Sequence, residues 1–194
     1  FYERVIDICR HYGVYVISDL AYCELYYDGN PPPSILQVKG AKDIAVEFTT
    51  VSKTYSMAGW RIGFASGNKP LIAALPKIKS YLDYGTFLPV QVAAASALNG
   101  SQDYVVNLRE MYKVRRDILA EGLIDAGWDV TVPNASMFLW AKLPDAYLDV
   151  GCLEFSKLLL THADVAVAPG IGFGPGGEGF VRIALVENKH RIRQ

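Results

Sequence analysis

Thr50-Val51-Ser52-Lys53-Thr54-Tyr55-Ser56-Met57-Ala58-Gly59-Trp60-Arg61-Ile62-Gly63 is the stretch on which fold and chemistry both turn. It begins inside an apolar run, residues 44–51, that reads as a strand and leads directly into Ser52 and Lys53. The hydroxyls of Thr50 and Ser52 and the guanidinium of Arg61, eight residues after the lysine, are suited to converge on a phosphate. Arginine matches phosphate as a fork, and one charge-assisted bond of that kind contributes about 1.5–3 kcal/mol. A lysine amine beside such a phosphate can condense with an aldehyde. The competing reading is a surface lysine after a strand, with local hydroxyl turns. Trp60 is expected to pack beneath the loop.

Upstream, residues 14–17 form a short β-branched run ending at Ser18-Asp19, as expected of a strand buried on both faces of a parallel sheet. Before it, Phe1, Val5, Ile8, Cys9 and Tyr12 fall on one helical face, stopped by Gly13. Downstream, residues 62–66 read as a third strand and 71–82 as a helix, and Pro89 opens another helix. Residues 103–126 read as a long amphipathic helix with Tyr104, Leu108, Met111, Val114, Ile118 and Leu119 on its apolar side. The last third no longer alternates strictly. Strands are expected at 128–132, 137–143, 165–168 and 180–185, with a helix over 151–162. The boundary is placed near residue 101, giving units 1–101 and 102–194.

The composition is that of a globular protein: 51% hydrophobic, 20% charged and a net charge of −1. That balance offers no electrostatic case for nucleic acid or an anionic membrane. No apolar run approaches the roughly 18–20 residues of a membrane span. Cys9, Cys23 and Cys152 form no C-x-x-C pair and are expected as reduced thiols in the cytoplasm. His11, His162 and His190 are scattered, so no metal site is assigned. The chain opens inside one helical pattern and closes inside another, at residues 187–194, as expected of a piece of a longer protein.

The motif S-K-x-(Y/F)-x-M-x-G-W-R-x-G, residues 52–63, resembles the lysine signature of the fold-type-I, class I/II aminotransferases. The resemblance extends along the chain. Asp19-Leu20-Ala21-Tyr22, the V-A-V-A-P-G-I-x-F-G segment and V-R-I-A-L all match the family's pattern. Within it the sequence is most similar to bacterial glutamate–pyruvate (alanine) aminotransferases, on residues 45–48, 78–81 and 83–87. The implied fold is α/β: the C-terminal part of a pyridoxal-phosphate (PLP) transferase large domain, with a mostly parallel sheet and helices, then an α+β small domain. The family's N-terminal half is not among these residues, so the chain alone is not expected to be fully active.

The resemblance also assigns roles. Lys53 is the lysine that binds PLP as a Schiff base and then moves the substrate's proton. Asp19 pairs with the pyridinium nitrogen and Tyr22 with the phenolic oxygen. Thr50, Ser52 and Arg61 hold the phosphate. Arg182, on a strand between Val181 and Ile183, binds the α-carboxylate of the amino acid; an arginine in such apolar company needs a partner. The implied reaction is transamination between amino acids and 2-oxo acids, with alanine/pyruvate and glutamate/2-oxoglutarate as the pair, in a homodimer. Two alternatives stay open: another PLP enzyme of the same fold, a β-lyase or decarboxylase, and a non-catalytic dimerisation module. Asp19 alone reads as a turn cap and Arg182 alone as a salt-bridge partner. The glycine-rich residues 169–177 lack G-x-G-x-x-G spacing and are expected to be a flexible loop near the substrate. Ala135-Ser136 stands where relatives commonly carry glycines.

Overall fold

A computed structural model describes residues 1–194. The chain falls into two compact units, residues 1–108 and 109–194.

In the first unit, helix α1 (Tyr2–His11) precedes strand β1 (Val16–Asp19). The apolar residues of α1 spread over more than one stripe, and the core takes only one of them. Ile6 is buried, with Tyr2 and Val5 beside it, against Ile35, Ala41 and Ala45. Phe1 and Tyr12, expected on the packed face, are 96% and 73% exposed, and Ile8 is exposed as well. β1 pairs in parallel with β2 (Ala45–Thr50) in the register Asp19↔Phe48. The expectation that β1 is buried on both faces fails here. Ser18 is buried but Ile17 is 74% exposed, because the core lies on only one side of the strand.

β2 runs into a single turn of helix, α2 (Val51–Thr54), which carries Lys53. β3 (Gly63–Gly67) returns antiparallel to β2, making a mixed sheet of order β1-β2-β3. Gly67 is required at the end of β3. A Cβ there would lie 2.2 Å from the Ala45 carbonyl oxygen, and φ is +137°. Asn68 then caps α3 (Lys69–Leu82) by accepting from the Leu71 N–H at 3.0 Å. α4 (Leu88–Asn99) follows, with Pro89 in its first turn.

Helix α5 (Asp103–Asp125) leads into the second unit. Its buried positions are Val105, Leu108, Tyr112, Arg116 and Ala120. The expected stripe is therefore displaced: Tyr104, Met111 and Val114 are exposed. The expected pattern takes in aromatic and aliphatic residues only, whereas the buried line includes the arginine Arg116. Arg116 donates to Asp117 Oδ1 at 2.8 Å through Nε and to the Pro133 carbonyl at 3.1 Å through Nη1.

β4 (Phe138–Lys142), helix α6 (Cys152–Ala163), β5 (Ala168–Pro169) and β6 (Phe180–Ala184) complete the second unit, followed by a short α7 (Lys189–Ile192). The antiparallel sheet has the order β4-β6-β5. Leu139 and Ala141 point into a core with Cys152, Phe155 and Val181. Two expected strands are corrected. Residues 128–132 join no ladder; instead the Trp128 indole N–H donates to the Lys142 carbonyl at 2.6 Å, and Val130 alone is buried. Residues 165–167 are likewise irregular. β5 is confined to Ala168–Pro169, and Pro169 has no N–H with which to extend it.

Candidate active site

The polar residues of the first unit gather where β1 and β2 end. Because these strands are parallel, the loops after Asp19 and Thr50 leave the sheet at the same edge, where open α/β sheets bind ligands. The ladder continues one step further, from the Leu20 N–H to the Phe48 carbonyl at 2.8 Å. Lys53 Nζ lies 5.8 Å from the centroid of the Tyr22 ring. No acidic side chain pairs with it, although it is only partly exposed. Cys23 Sγ, 3.6 Å from Thr49 Oγ1, ties the loop after β1 to the end of β2.

Asp19 is exposed and accepts one hydrogen bond, from the Ala21 N–H at 3.2 Å. The turn contact of the plain reading is thus present, and it occupies one carboxylate oxygen. Thr50 Oγ1 lies 2.7 Å from the Ile62 carbonyl and 2.9 Å from Ser52 Oγ, and it accepts from the Ser52 N–H. Its hydroxyl is therefore largely engaged locally, as a cap for α2. The guanidinium of Arg61 is exposed and donates to the Ala58 carbonyl at 2.9 Å.

The turn between Lys53 and Arg61 is strained. Ser56 and Arg61 both sit in the left-handed region, at φ 53° and 51°. For non-glycine residues that conformation costs on the order of 1 kcal/mol each. Trp60 is half exposed rather than packed beneath the loop. It belongs to the 3-10 turn Ala58–Trp60, which aims it outward.

In the second unit, Arg182 lies opposite Trp140 across the β4–β6 ladder. Its guanidinium carbon is 4.2 Å from the centroid of the Phe138 ring and 4.6 Å from that of Phe173. No carboxylate of the chain pairs with it, which removes the reading of Arg182 as an internal salt-bridge partner. Trp140 stacks on Phe180 and meets Phe173 edge-on, each at 5.6 Å. A cleft of about 490 Å³ opens on the same strand face, lined by Phe138, Trp140, Lys142 and Phe180.

These rings were not singled out from the sequence. Strand alternation holds the signal, since residues 138, 140 and 142 share the face opposite buried Leu139 and Ala141. Within residues 169–177, expected as a flexible loop, Gly170–Phe173 and Pro175–Gly177 are 3-10 turns folded onto each other. A Cβ on Gly170 would lie 2.0 Å from the Gly177 carbonyl oxygen, so only glycine permits that approach. Glu178 fastens the turns to α6. Its carboxylate accepts from the Cys152 N–H at 2.7 Å and from the Gly179 N–H at 3.1 Å, and Cys152 Sγ donates to it at 3.4 Å. Those bonds, the Cys152 N–H first, hold its carboxyl below the usual glutamate range. Ser136 adopts φ 77°, in the left-handed region that favours glycine.

The family model for Aminotransferase class I and II matches residues 1–192. AatC of Rhizobium meliloti (strain 1021), assigned by name to the aminotransferases, is 58% identical over the whole chain, which spans 48% of that protein. The glutamate-pyruvate aminotransferase AlaC of Escherichia coli (strain K12) is 57% identical over the whole chain, which spans 47% of it. Among solved structures, substrate-bound BacF from Bacillus subtilis superposes with a TM-score of 0.94 at 33% identity, over the whole chain and 49% of that protein. The chain thus spans about half the length of the curated relatives it matches.

Proposed function

The chain belongs to the class I and II aminotransferases, and on that premise we propose that the full-length protein transfers an amino group between an amino acid and a 2-oxo acid with PLP as cofactor. The observation that carries this reading is the meeting of Asp19, Tyr22, Thr50, Ser52 and Lys53 at one edge of the parallel strand pair, with a lysine amine that has no acidic partner. The donor set fits the group: an amine for an aldehyde, an exposed carboxylate for a ring nitrogen, and hydroxyls with an exposed guanidinium for a phosphate.

Each side chain then has a task. Lys53 Nζ would hold the cofactor covalently and would carry the proton between the substrate α-carbon and C4′ of the cofactor. Asp19 keeps a proton on the pyridine nitrogen through its free carboxylate oxygen. Tyr22 donates to the phenolic oxygen. Arg61 anchors the phosphate with Ser52, while Thr50 mainly orients Ser52. Arg182 takes the α-carboxylate. PLP, when bound, supplies the electron sink that stabilises negative charge at the α-carbon.

The substrate pair we favour is alanine/pyruvate with glutamate/2-oxoglutarate, supported by the 57% identity to AlaC. A homodimer is the proposed assembly, in keeping with symmetric oligomers generally. A cytoplasmic location is supported by three free cysteines. No helix is long and apolar enough to cross a membrane. Borohydride reduction of the PLP-loaded full-length protein, followed by peptide mapping, is the test. The expected result is the pyridoxyl label on Lys53, together with alanine- and 2-oxoglutarate-dependent formation of pyruvate and glutamate. A label on any other lysine refutes the site, and a labelled Lys53 without transamination refutes the reaction.

A further inference from the structure

We infer that Phe138 and Phe173 are positioning residues that hold the Arg182 guanidinium in place by its faces and leave its edge donors for a planar carboxylate. The inference rests on the reading of Arg182 given above and deepens it. A strand arginine between Val181 and Ile183 would ordinarily be held by an acid, and none is present. Two aromatic rings approach instead, at 4.2 and 4.6 Å from the guanidinium carbon. A cation over an aromatic face is attracted by the ring's negative face. Its five N–H donors all lie in the guanidinium plane. A ring face therefore restrains the cation without consuming a donor or neutralising the charge. A carboxylate clamp would do both.

The two rings are themselves held independently of Arg182. Phe138 is fixed by the β4–β6 register, opposite Ala184 and two residues from the Trp140↔Arg182 pair. Phe173 ends the 3-10 turn Gly170–Phe173. That turn is tied down at its start by the Ile171 N–H bond to Cys152 Sγ at 3.3 Å and by the close approach of Gly170 to Gly177. Trp140 meets the Phe173 ring edge-on at 5.6 Å and supports it from the strand. The guanidinium is thereby ordered before any ligand arrives, and less freedom is lost when a carboxylate binds. A lysine cannot use the arrangement, because it offers neither the flat face nor the fork.

The test uses the full-length, PLP-loaded protein and the substitutions Phe173→Leu, Phe138→Leu, Phe173→Tyr and Arg182→Lys. Three quantities are measured: the Kd of propionate, an unreactive carboxylate; KM and kcat for alanine; and the rate with ethylamine, which has no carboxylate. Both leucine variants are expected to weaken propionate and raise the alanine KM about three- to thirtyfold, the loss of one cation–aromatic contact. The change in kcat is expected to be smaller, with ethylamine unaffected and Phe173→Tyr restoring affinity. Phe173 is 54% exposed, so its leucine variant is expected to fold normally. Unchanged propionate affinity in both leucine variants, with Arg182→Lys still weakened, overturns the clamp and leaves Arg182 as the carboxylate site. Unchanged affinity in Arg182→Lys overturns the Arg182 reading and the clamp with it. An equal loss with ethylamine also refutes the clamp, because the rings would then act on something other than the carboxylate.

Discussion

Glu47 and Asp19 stand on neighbouring strands of the same sheet, one register step apart, and their carboxylates are treated in opposite ways. Glu47 is buried and accepts from Ser34 Oγ at 2.7 Å, the Ile35 N–H at 3.1 Å and Ser18 Oγ at 3.2 Å. Asp19 is exposed and accepts one backbone N–H. The second unit repeats the contrast with arginines. Arg116 is buried against Asp117 and the Pro133 carbonyl, whereas Arg182 meets ring faces and no acid. A charge whose hydrogen-bonding capacity is filled inside the chain holds the fold. A charge left with unspent capacity at a strand end or on a sheet face is available to a ligand. Burial divides the pairs in the same way, since Glu47 and Arg116 are buried and Asp19 and Arg182 are not; the count of internal partners gives the reason.

The strongest test of this contrast is Glu47→Ala against Asp19→Ala. Removing Glu47 leaves two hydroxyls and a backbone N–H without their acceptor in a largely buried site. The expected loss is about 3 kcal/mol, read as a lower urea midpoint of the full-length protein stripped of cofactor. Asp19→Ala is expected to change stability by no more than about 0.5 kcal/mol, while PLP affinity falls. Similar stability losses in the two variants would break the comparison.

The arginines offer a smaller version. Arg116→Met removes a hydrogen-bonded cation whose side chain is 6% exposed. Asp117 is a third exposed and keeps Lys113 at 3.1 Å, so it is not stranded. The expected destabilisation is therefore about 2 kcal/mol, below the usual figure for breaking a fully buried pair. Arg182→Met is expected to leave the urea midpoint almost unchanged and to raise the KM for amino acid. If Arg182→Met unfolds the protein as readily as Arg116→Met, the aromatic contacts are structural and Arg182 is not held for a ligand.

Much of this contrast was legible in the sequence, and the parts that were not have identifiable causes. The lysine motif, the strand before it and Asp19-x-x-Tyr22 are local in sequence, so a parallel pair with both loops at one edge follows from short-range pattern. Strands are expected over 137–143 and 180–185, and both form, over Phe138–Lys142 and Phe180–Ala184; their pairing is the structure's addition. Residues 128–132 look equally strand-like, but a strand needs a partner edge, and the Trp128 indole bonds to a β4 carbonyl instead. The displaced stripe of α5 has a related cause, because Arg116 is buried through hydrogen bonds that an apolar count ignores. Phe173 reaches Arg182 only through a turn whose geometry depends on Gly170 touching Gly177. No local pattern reports that contact.

Glu178 gives the smallest and most specific effect, because it is a surface carboxylate whose partners are all internal. It caps α6 from a distant segment through the Cys152 N–H, and those bonds depress its pKa below the ordinary value of 4.5. A group with a depressed folded-state pKa stabilises fully above its unfolded value and loses that contribution as pH falls through the folded value. The stabilisation is therefore expected to be complete at neutral pH and to fade below about pH 4.5. Glu178→Gln keeps the shape and an acceptor oxygen but removes the charge. Urea midpoints measured from about pH 7 down to about pH 3 should show the variant slightly less stable at neutral pH, with the two curves converging in acid. Parallel curves would mean that the charge contributes nothing and that the amide cap serves equally well. In that case the bonds from Cys152 and Gly179 would hold the turn whatever the charge on residue 178, and a filled partner count would mark a fold-holding acceptor and not a fold-holding charge.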